Sequence, residues 1–177
     1  HMIQKILKSS DLRLRQISKP VVKIDKKVAS LIKDLKDTLA VQKDPEGVGL
    51  AAPQIGKNLR IFVANFKNFQ RVVINPEILG ITKLTKSKRP KRKSKIMEGC
   101  LSLPHYYGPL ARAQKVRVKY LNEENKEIVE EFEGFPAQIV LHEIDHLNGI
   151  LFVDRIIEQK KKLYKLVNNE WEEMELV

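Results

Sequence analysis

The chain contains 177 residues, of which 42% are hydrophobic and 31% are charged, and its formal net charge is +11. This length is typical of one domain with one sizeable core, so we expect a single domain over residues 1–177. No apolar run approaches the length of about 18 residues that a membrane span needs, and we expect a soluble protein without a membrane partner. The single cysteine, Cys100, excludes an internal disulfide, is typical of a reducing compartment, and leaves a thiol for a metal or a nucleophile.

The N-terminal quarter of the chain predicts one amphipathic helix. His1 and Met2 are typical of the remnant of a cleaved expression tag and are set aside. Apolar residues recur at helical spacing over residues 25–42, and the carboxylate of Asp25 is placed to cap the first turn. We expect this helix to pack its apolar face on the core.

The stretch between residues 59 and 95 predicts two short strands and then a basic loop. The β-rich runs lie at 59–64 and 71–74, and we expect Asn75 and Pro76 to end the second strand. Residues 83–95 hold eight Lys and Arg residues and no acidic residue. Because such a run repels itself, it is typical of a solvated loop that either aids solubility or contacts phosphate groups.

The clearest strand signal follows the basic loop. Apolar and basic residues alternate over 115–120, residues 122–125 predict a turn, and residues 128–133 predict the returning strand. These three segments together predict a β-hairpin.

Two helices are predicted after this hairpin. Pro136 suits a first helical turn and Gly149 suits the position beyond a last turn, so we expect a buried helix over residues 136–148. Apolar spacing predicts a last helix over residues 154–169. Because strands and helices do not alternate regularly, we expect an α+β domain.

The predicted buried helix contains the sequence HEIDH. His142 and His146 are four residues apart, so they project from one helix face and can bind one metal ion. Glu143 lies beside them, where a carboxylate can accept a proton from water as a general base. Two histidines that are merely hydrogen-bonded inside a helix remain the alternative for this motif taken alone.

A catalytic metal site of this kind needs a third protein ligand from elsewhere in the chain. One protease class supplies a further histidine six residues after the second, but Phe152 occupies that position. Another class supplies a downstream glutamate, for which Glu170 and Glu172 are candidates near the charged terminus. Cys100 remains as the third candidate, because a thiolate is a strong ligand for a borderline-soft divalent metal.

Three separated motifs identify a family resemblance. They are GVGLAAPQ at 47–54, EGCLS at 98–102 and HEIDH at 142–146. Similar residues also occur outside them, in DLRLRQISKPV, VVINPEI and LNGILF, so the resemblance covers nearly the whole chain. On these residues the chain resembles peptide deformylases.

The resemblance implies a fold and an activity. The fold is the α+β deformylase fold, with antiparallel β-sheets around the central HExxH helix and helices near both ends. The activity is hydrolysis of the N-formyl group from the formyl-methionine of nascent polypeptides. It implies one divalent metal ion, iron(II) in the cell, with zinc, nickel or cobalt as alternatives in purified protein.

The resemblance also implies roles for individual residues. The metal ligands are Cys100, His142 and His146. Glu143 is the general acid and base, while the Gln54 side chain and the Leu101 backbone N–H stabilise the oxyanion. The residues expected around the substrate are Val48, Gly49, Ile96, Glu98, Gly99, Phe135 and Ile139.

Further expectations concern neighbours and partners. Asp145 is expected to pair with Arg112 and so to hold the ligand-bearing helix. Tyr106 and Tyr107 depart from the family pattern, and this departure points to the grip on residues beyond the formyl-methionine. We expect a monomer in a bacterial cytoplasm, less so in an organelle. Contact of residues 83–95 with ribosomal RNA is the hypothesis that stands beside a solubilising role for this loop.

Other functions predict different site residues. A zinc endopeptidase of the glutamate-ligand class requires Glu170 rather than Cys100. A basic RNA-binding module accounts for the charge but leaves Gln54, Cys100 and the HEIDH motif unexplained. A third alternative is a relative of the deformylases that has lost activity. Every predicted catalytic position is present in this sequence, which argues against this alternative.

Overall fold

The computed structural model describes residues 2–82 and 97–175. The helices are α1 Lys26–Ala40, α2 Phe135–Leu147 and α3 Phe152–Glu158, with short 3-10 helices at Leu12–Arg15 and Ala52–Ile55. The strands are β1 Gly49–Ala51, β2 Ile61–Phe66, β3 Phe69–Ile81, β4 Glu98–Cys100, β5 Leu103–Gly108, β6 Lys115–Leu121, β7 Glu127–Glu133, β8 Leu163–Val167 and β9 Glu170–Met174. The basic segment 83–95 and Ile96 lie outside the described residues.

The described strands form two antiparallel sheets. The five-stranded sheet has the order β1-β2-β3-β6-β7, and the four-stranded sheet has the order β4-β5-β8-β9. The α+β fold class is therefore confirmed. The predicted hairpin is also confirmed, because β6 and β7 pair in register from Lys115 opposite Glu133 to Leu121 opposite Glu127.

The five-stranded sheet is covered on both faces. Helix α1 begins as predicted at Asp25, whose side chain accepts a hydrogen bond of 2.9 Å from the Val28 N–H. Its apolar side packs with Leu50, Ile61 and other residues of one sheet face. Helix α2 packs its apolar side on the opposite face, which includes Phe62. Because β2 is buried between the two helices, its apolar residues are nearly continuous rather than alternating.

Helix α2 carries its polar motif residues on a different side from its core residues. Val140, Ile144 and Leu147 join the core against the five-stranded sheet. His142, Glu143 and His146 lie on the side toward Cys100 and the cavity. The predicted helix 136–148 is confirmed to within one residue at each end.

The predicted helix over residues 154–169 is wrong. Helix α3 ends at Glu158, and the chain then forms the β8–β9 hairpin, which adds to β5. Asn168 and Asn169 have φ of +49° and +62°, as a two-residue hairpin turn with the twist of its strands requires. Lys160 has a φ of +54°, a left-handed conformation in which a right-handed helix cannot continue toward β8.

The predicted end of the second strand is also wrong. Strand β3 passes Asn75 and Pro76 and reaches Ile81, with a register shift against β6 between Ile74 and Glu77. The shift accommodates a proline that has no N–H to donate. The Asn75 side chain instead bonds the backbone N–H and carbonyl of Val21, at 2.8 Å each.

No helix in the ranges 2–82 and 97–175 combines the length and apolar character that crossing a membrane requires.

Replacement of Gly149 is expected to destabilise the fold strongly. Gly149 lies just past the C-terminal end of α2 and has a φ of +72°. An added Cβ would lie 2.5 Å from the Arg15 carbonyl oxygen. Gly149→Ala should lower the free energy of unfolding by about 2–4 kcal/mol, because a left-handed residue costs about 1–2 kcal/mol and the backbone contact adds to it. Urea denaturation measures this change.

Two other glycines supply matched controls. Gly56 has φ of +80°, but an added Cβ would meet only the Arg13 side chain at 3.3 Å. Gly56→Ala should therefore lose only the conformational part, about 1–2 kcal/mol. Gly80 has open space around it, and Gly80→Ala should change stability by less than about 0.5 kcal/mol. Equal losses at Gly149 and Gly56 would contradict the importance of the Arg15 contact.

Candidate metal and catalytic site

The cleft contains a cluster of three metal-type ligands. Cys100 at the end of β4 and His142 and His146 on α2 place their ligand atoms within 4.8 Å of one another. The Cys100 Sγ lies 3.3 Å from the His146 Nε2. The histidines are together because they are one helical turn apart, whereas the thiol arrives from a separate sheet.

Glu98 fixes the orientation of His142. Its carboxylate can only accept, so the His142 Nδ1–H donates to the Glu98 Oε2, at 2.9 Å, and the other ring nitrogen, His142 Nε2, remains for the ligand cluster. Burial lowers the pKa of His142, but hydrogen bonds with Cys100 and Glu98 outweigh it and raise the pKa. A carboxylate behind a ligand histidine is the common arrangement of protein metal sites.

Glu98 belongs to a buried ion network. Arg112 donates two hydrogen bonds to the Glu98 carboxylate, at 2.7 and 2.8 Å, and one of 2.8 Å to Asp145. Arg155 holds the other side of Asp145 with bonds of 3.0 and 3.1 Å. Burial raises the pKa of Glu98, but Arg112 and His142 outweigh it and lower the pKa to about 2.

The network contains the predicted Asp145–Arg112 pair and shows which side chains surround Glu98. The predicted pair of Asp145 and Arg112 is present, and Arg155 is an additional partner that the sequence analysis missed. Glu98 was expected to bind substrate. It borders the cavity, but its side chain is only 5% exposed and both of its oxygens are engaged by Arg112 and His142.

Glu143 and His146 each have a buried atom without a protein partner. Within the described residues, the Glu143 Oε2 and His146 Nδ1 accept or donate no hydrogen bond. Burial raises the pKa of Glu143 to about 7, so this carboxyl group can take up and release a proton near neutral pH. Burial, and then the charge of His142, lower the pKa of His146.

These features fit a divalent metal ion. A thiol and two imidazoles are suitable ligands for a borderline-soft divalent ion, which binds them as a thiolate and neutral rings. The unpartnered Glu143 oxygen stands beside the cluster, where a water molecule would complete its hydrogen bonds. Glu170 and Glu172, the alternative third ligands, lie on the exposed strand β9 and do not join the cluster found among the described residues.

Gln54 lies at the edge of the cluster. Its side-chain oxygen accepts from the Ala51 N–H at 2.9 Å, and its Nε2 donates to Ser102 Oγ at 3.0 Å. The same Nε2 is 3.6 Å from the Cys100 Sγ. Ser102, which is buried and was not predicted, therefore anchors the Gln54 amide beside the ligand cluster.

The cluster opens into a cavity with a volume of about 190 Å³. Of the predicted substrate residues, Ile96 falls outside the described part of the chain. The others border the cavity, together with Gln54 and Leu101: Val48, Gly49, Glu98, Gly99, Phe135 and Ile139. Tyr107, noted for the substrate grip, also borders the cavity, and the cavity residues that the prediction missed are Pro45, Glu46, Met97 and Gln138.

Some of the missed residues had a signal in the sequence. Gln138 precedes His142 by one helical turn, so helical spacing alone places both on the same side of α2. Tyr107 departs from the family pattern, and that departure already indicated a part in the substrate grip. Glu46 and Pro45 precede the GVGLAAPQ motif and carry no pattern of their own.

Comparisons with known proteins agree on one family. A family model described as polypeptide deformylase matches residues 3–162. The chain is similar to the peptide deformylase of Pseudothermotoga lettingae, with 41% identity covering 94% of this chain and 93% of the relative. It is also similar to that of Halothermothrix orenii, with 43% identity covering 88% of this chain and 94% of the relative.

Solved structures give the same result. The crystal structure of a peptide deformylase from Legionella pneumophila has a TM-score of 0.75 and 43% identity, and the match covers 87% of this chain and 86% of that chain. The peptide deformylase from Thermotoga maritima has a TM-score of 0.75 and 39% identity, covering 88% and 98%. Since sequence and fold agree over most of its length, the chain belongs to the polypeptide deformylase family.

Proposed function

We propose that this chain hydrolyses the N-formyl group of the N-terminal formyl-methionine of nascent polypeptides, releasing formate. The observation that carries the proposal is the buried, unpartnered carboxylate oxygen of Glu143 beside the Cys100, His142 and His146 cluster, in a cavity. Amide hydrolysis needs a proton acceptor, an electrophilic centre and room for the substrate, and this arrangement offers all three.

The proposed metal ligands are the Cys100 Sγ and one ring nitrogen of each of His142 and His146. A divalent ion held there would lower the pKa of a water molecule to roughly 7 and would polarise the formyl carbonyl. We propose iron(II) as the ion in the cell, and this ligand set also accepts zinc, nickel or cobalt. Glu98 orients His142, and Arg112 holds Glu98.

The chain's own groups account for the proton transfers and the charge. Glu143 accepts the proton of the attacking water as the new C–O bond forms. The Gln54 Nε2–H and the Leu101 backbone N–H donate to the formyl oxygen as negative charge develops on it. Glu143 then gives its proton to the amine nitrogen as the C–N bond breaks, and formate and a free N-terminus leave.

The proposed cavity residues have two tasks. Val48, Phe135 and Ile139, with Ile96, hold the apolar methionine side chain. Gly49 and Gly99 allow close approach: an added Cβ at Gly49 would lie 3.1 Å from the Glu143 carboxylate, and one at Gly99 would lie 2.6 Å from the Tyr107 ring.

The proposal extends to partners and compartment. Formylated initiator methionine is a feature of bacterial translation, which places the proposed substrate in the bacterial cytoplasm. We propose that the chain acts as a monomer. We also propose that the basic segment 83–95 binds the phosphates of ribosomal RNA, since neutralising the phosphates releases the counterions of the RNA.

Loss of the Glu143 carboxylate is expected to abolish turnover. Metal-loaded wild-type protein, prepared without oxygen, should release formate from formyl-Met-Ala-Ser. Glu143→Gln should reduce kcat by roughly 10²–10⁴-fold, because the general base is lost while the side-chain shape remains. The unformylated peptide gives the background, and equal metal content in both proteins is the required control. A variant with wild-type kcat would refute the role of Glu143.

Loss of the Gln54 amide is expected to slow turnover to a smaller extent. Gln54→Ala should lower kcat by roughly 10²–10³-fold, as removal of one oxyanion donor does. Ser102→Ala should have a smaller effect in the same direction, because it frees the amide without removing it. The exposed Gln70 supplies a matched control, and Gln70→Ala should turn over like the wild type. An unchanged kcat in Gln54→Ala would contradict the oxyanion assignment.

Metal affinity is expected to show whether Cys100 or Glu170 is the third metal ligand. Glu98→Gln should weaken metal binding by roughly 10–100-fold, because His142 loses the partner that orients it, and Cys100→Ser should weaken it further. Glu170→Ala should bind metal like the wild type. Competition with a chelator of known affinity measures all four proteins. Weak binding in Glu170→Ala with normal binding in Cys100→Ser would favour the glutamate-ligand protease class instead.

A further inference from the structure

Residues 3–9, which we call the strap, contact two segments of the site and have no part in the proposed mechanism. The Leu7 N–H donates to the backbone carbonyl of Gln54 at 2.7 Å, and the Ser9 N–H donates to that of Ser102 at 2.8 Å. The side chains of the same two residues are joined directly, because the Gln54 Nε2 donates to the Ser102 Oγ at 3.0 Å. The strap therefore holds the backbones of a pair whose side chains already bond to each other.

Both carbonyls that accept from the strap belong to buried residues. Gln54 is 1% exposed and Ser102 is 2% exposed. Gln54 lies near the end of the 3-10 helix Ala52–Ile55, where carbonyl groups lack partners within the helix. A buried carbonyl group needs a hydrogen-bond partner, and the strap supplies one to each residue. Loss of either strap N–H would thus favour movement of the backbone that it holds.

The two segments that the strap joins carry the two proposed oxyanion donors. Gln54 supplies its side-chain N–H, and Leu101 supplies its backbone N–H from the two-residue turn that ends at Ser102, between β4 and β5. Two N–H groups that are two residues apart in a chain can be separated by at most about 7 Å. The strap therefore limits the distance between the two carbonyls, and with it the spacing of the donors.

The strap is itself fixed to helix α1 and to the core. The Gln4 N–H donates to the Thr38 Oγ1 at 2.9 Å, and the Gln4 Nε2 donates to the Asp34 Oδ2 at 3.2 Å. Ile6 packs against the core cluster between α1 and the five-stranded sheet. Because these contacts precede Leu7 in the chain, they restrict where the strap can present its N–H groups.

We propose that the strap is a positioning element of the reaction, which sets the spacing of the Gln54 amide and the Leu101 N–H through the N–H groups of Leu7 and Ser9. The inference rests on the proposed function, because these donors act only when charge develops on a formyl oxygen. Loss of a strap N–H should then slow the chemical step through Gln54, while substrate binding and metal content stay the same. A strap that only stabilised the fold would not produce this pattern.

Proline substitutions remove the two N–H groups one at a time. Ser9 is the second residue of a turn that the Asp11 N–H closes on the Lys8 carbonyl at 2.8 Å, and this position accepts proline. Ser9→Ala keeps the N–H and is the matched control for Ser9→Pro, as Leu7→Ala is for Leu7→Pro. Lys8→Pro controls for an added proline, because the Lys8 N–H donates to no backbone carbonyl of the described residues.

The kinetic constants separate positioning from folding. Ser9→Pro and Leu7→Pro should each lower kcat by roughly 10-fold, less than Gln54→Ala, because the amide is displaced rather than removed. The KM for formyl-Met-Ala-Ser and the metal content should stay within about twofold of the wild type. In a Gln54→Ala protein, Ser9→Pro should lower kcat further by less than about twofold, because the two changes act through one group. Ser9→Ala, Leu7→Ala and Lys8→Pro should turn over like the wild type.

Nuclear magnetic resonance provides a readout without turnover. In the zinc-loaded, isotope-labelled protein, the side-chain amide signal of Gln54 is the one that disappears in Gln54→Ala. Ser9→Pro should shift this signal and speed its hydrogen exchange with water, because the Ser102 hydroxyl that anchors the amide moves with its backbone. Ser9→Ala and Lys8→Pro should leave the signal unchanged.

The outcomes separate this inference from the proposed function. If Ser9→Pro turns over like Ser9→Ala while Gln54→Ala is slow, the role of the strap is overturned and formyl hydrolysis stands. An equal loss of kcat with and without the Gln54 amide would also overturn the positioning role. A Gln54 signal that moves in Ser9→Pro but not in Lys8→Pro, with a wild type that releases no formate, would support the positioning and contradict the hydrolysis. Ser9→Pro carries the test even if Leu7→Pro fails to fold.

Discussion

The buried pair of Glu98 and Arg112 is the interaction on which the site depends. Their side chains are 5% and 8% exposed, so each charge relies on the other and on its hydrogen bonds for compensation. Arg112 also holds Asp145 on α2, and Glu98 stands two residues before Cys100 on β4. One guanidinium thus fixes the helix that carries the histidines against the strand that carries the thiol.

This arrangement favours one position of β4 relative to α2. The general cost of leaving one partner of a buried pair uncompensated is about 3–5 kcal/mol, so displaced positions of β4 relative to α2 are disfavoured. The same network sets the proton on His142 and thereby directs its other nitrogen to the cluster. Preorganisation of this kind reduces the free energy that ligand binding must spend on ordering side chains.

The sequence predicts those parts of the site that depend on local spacing. His142, Glu143 and His146 follow from the helical period, and α1 follows from its apolar spacing and the Asp25 cap. Cys100 is one of several candidate third ligands on chemical grounds, and only the family resemblance selects it, because no local pattern links it to a histidine 42 residues later in the chain. The hydrogen bonds of Glu98 could not be predicted for the same reason: its partner Arg112 comes from a segment that no periodicity relates to β4.

The incorrect prediction of a helix over residues 154–169 has a different cause, and the observed hairpin also affects the surroundings of the site. Residues 154–169 have enough apolar spacing for a helix, but Asn168 and Asn169 adopt left-handed conformations that suit a tight hairpin. Because β8 and β9 extend the sheet that contains β4, Trp171 reaches the Tyr107 ring that packs on Gly99. A helix ending at solvent would leave that ring without its aromatic neighbour. The hairpin therefore links residues 163–174 through β5 to the strand that supplies the thiol.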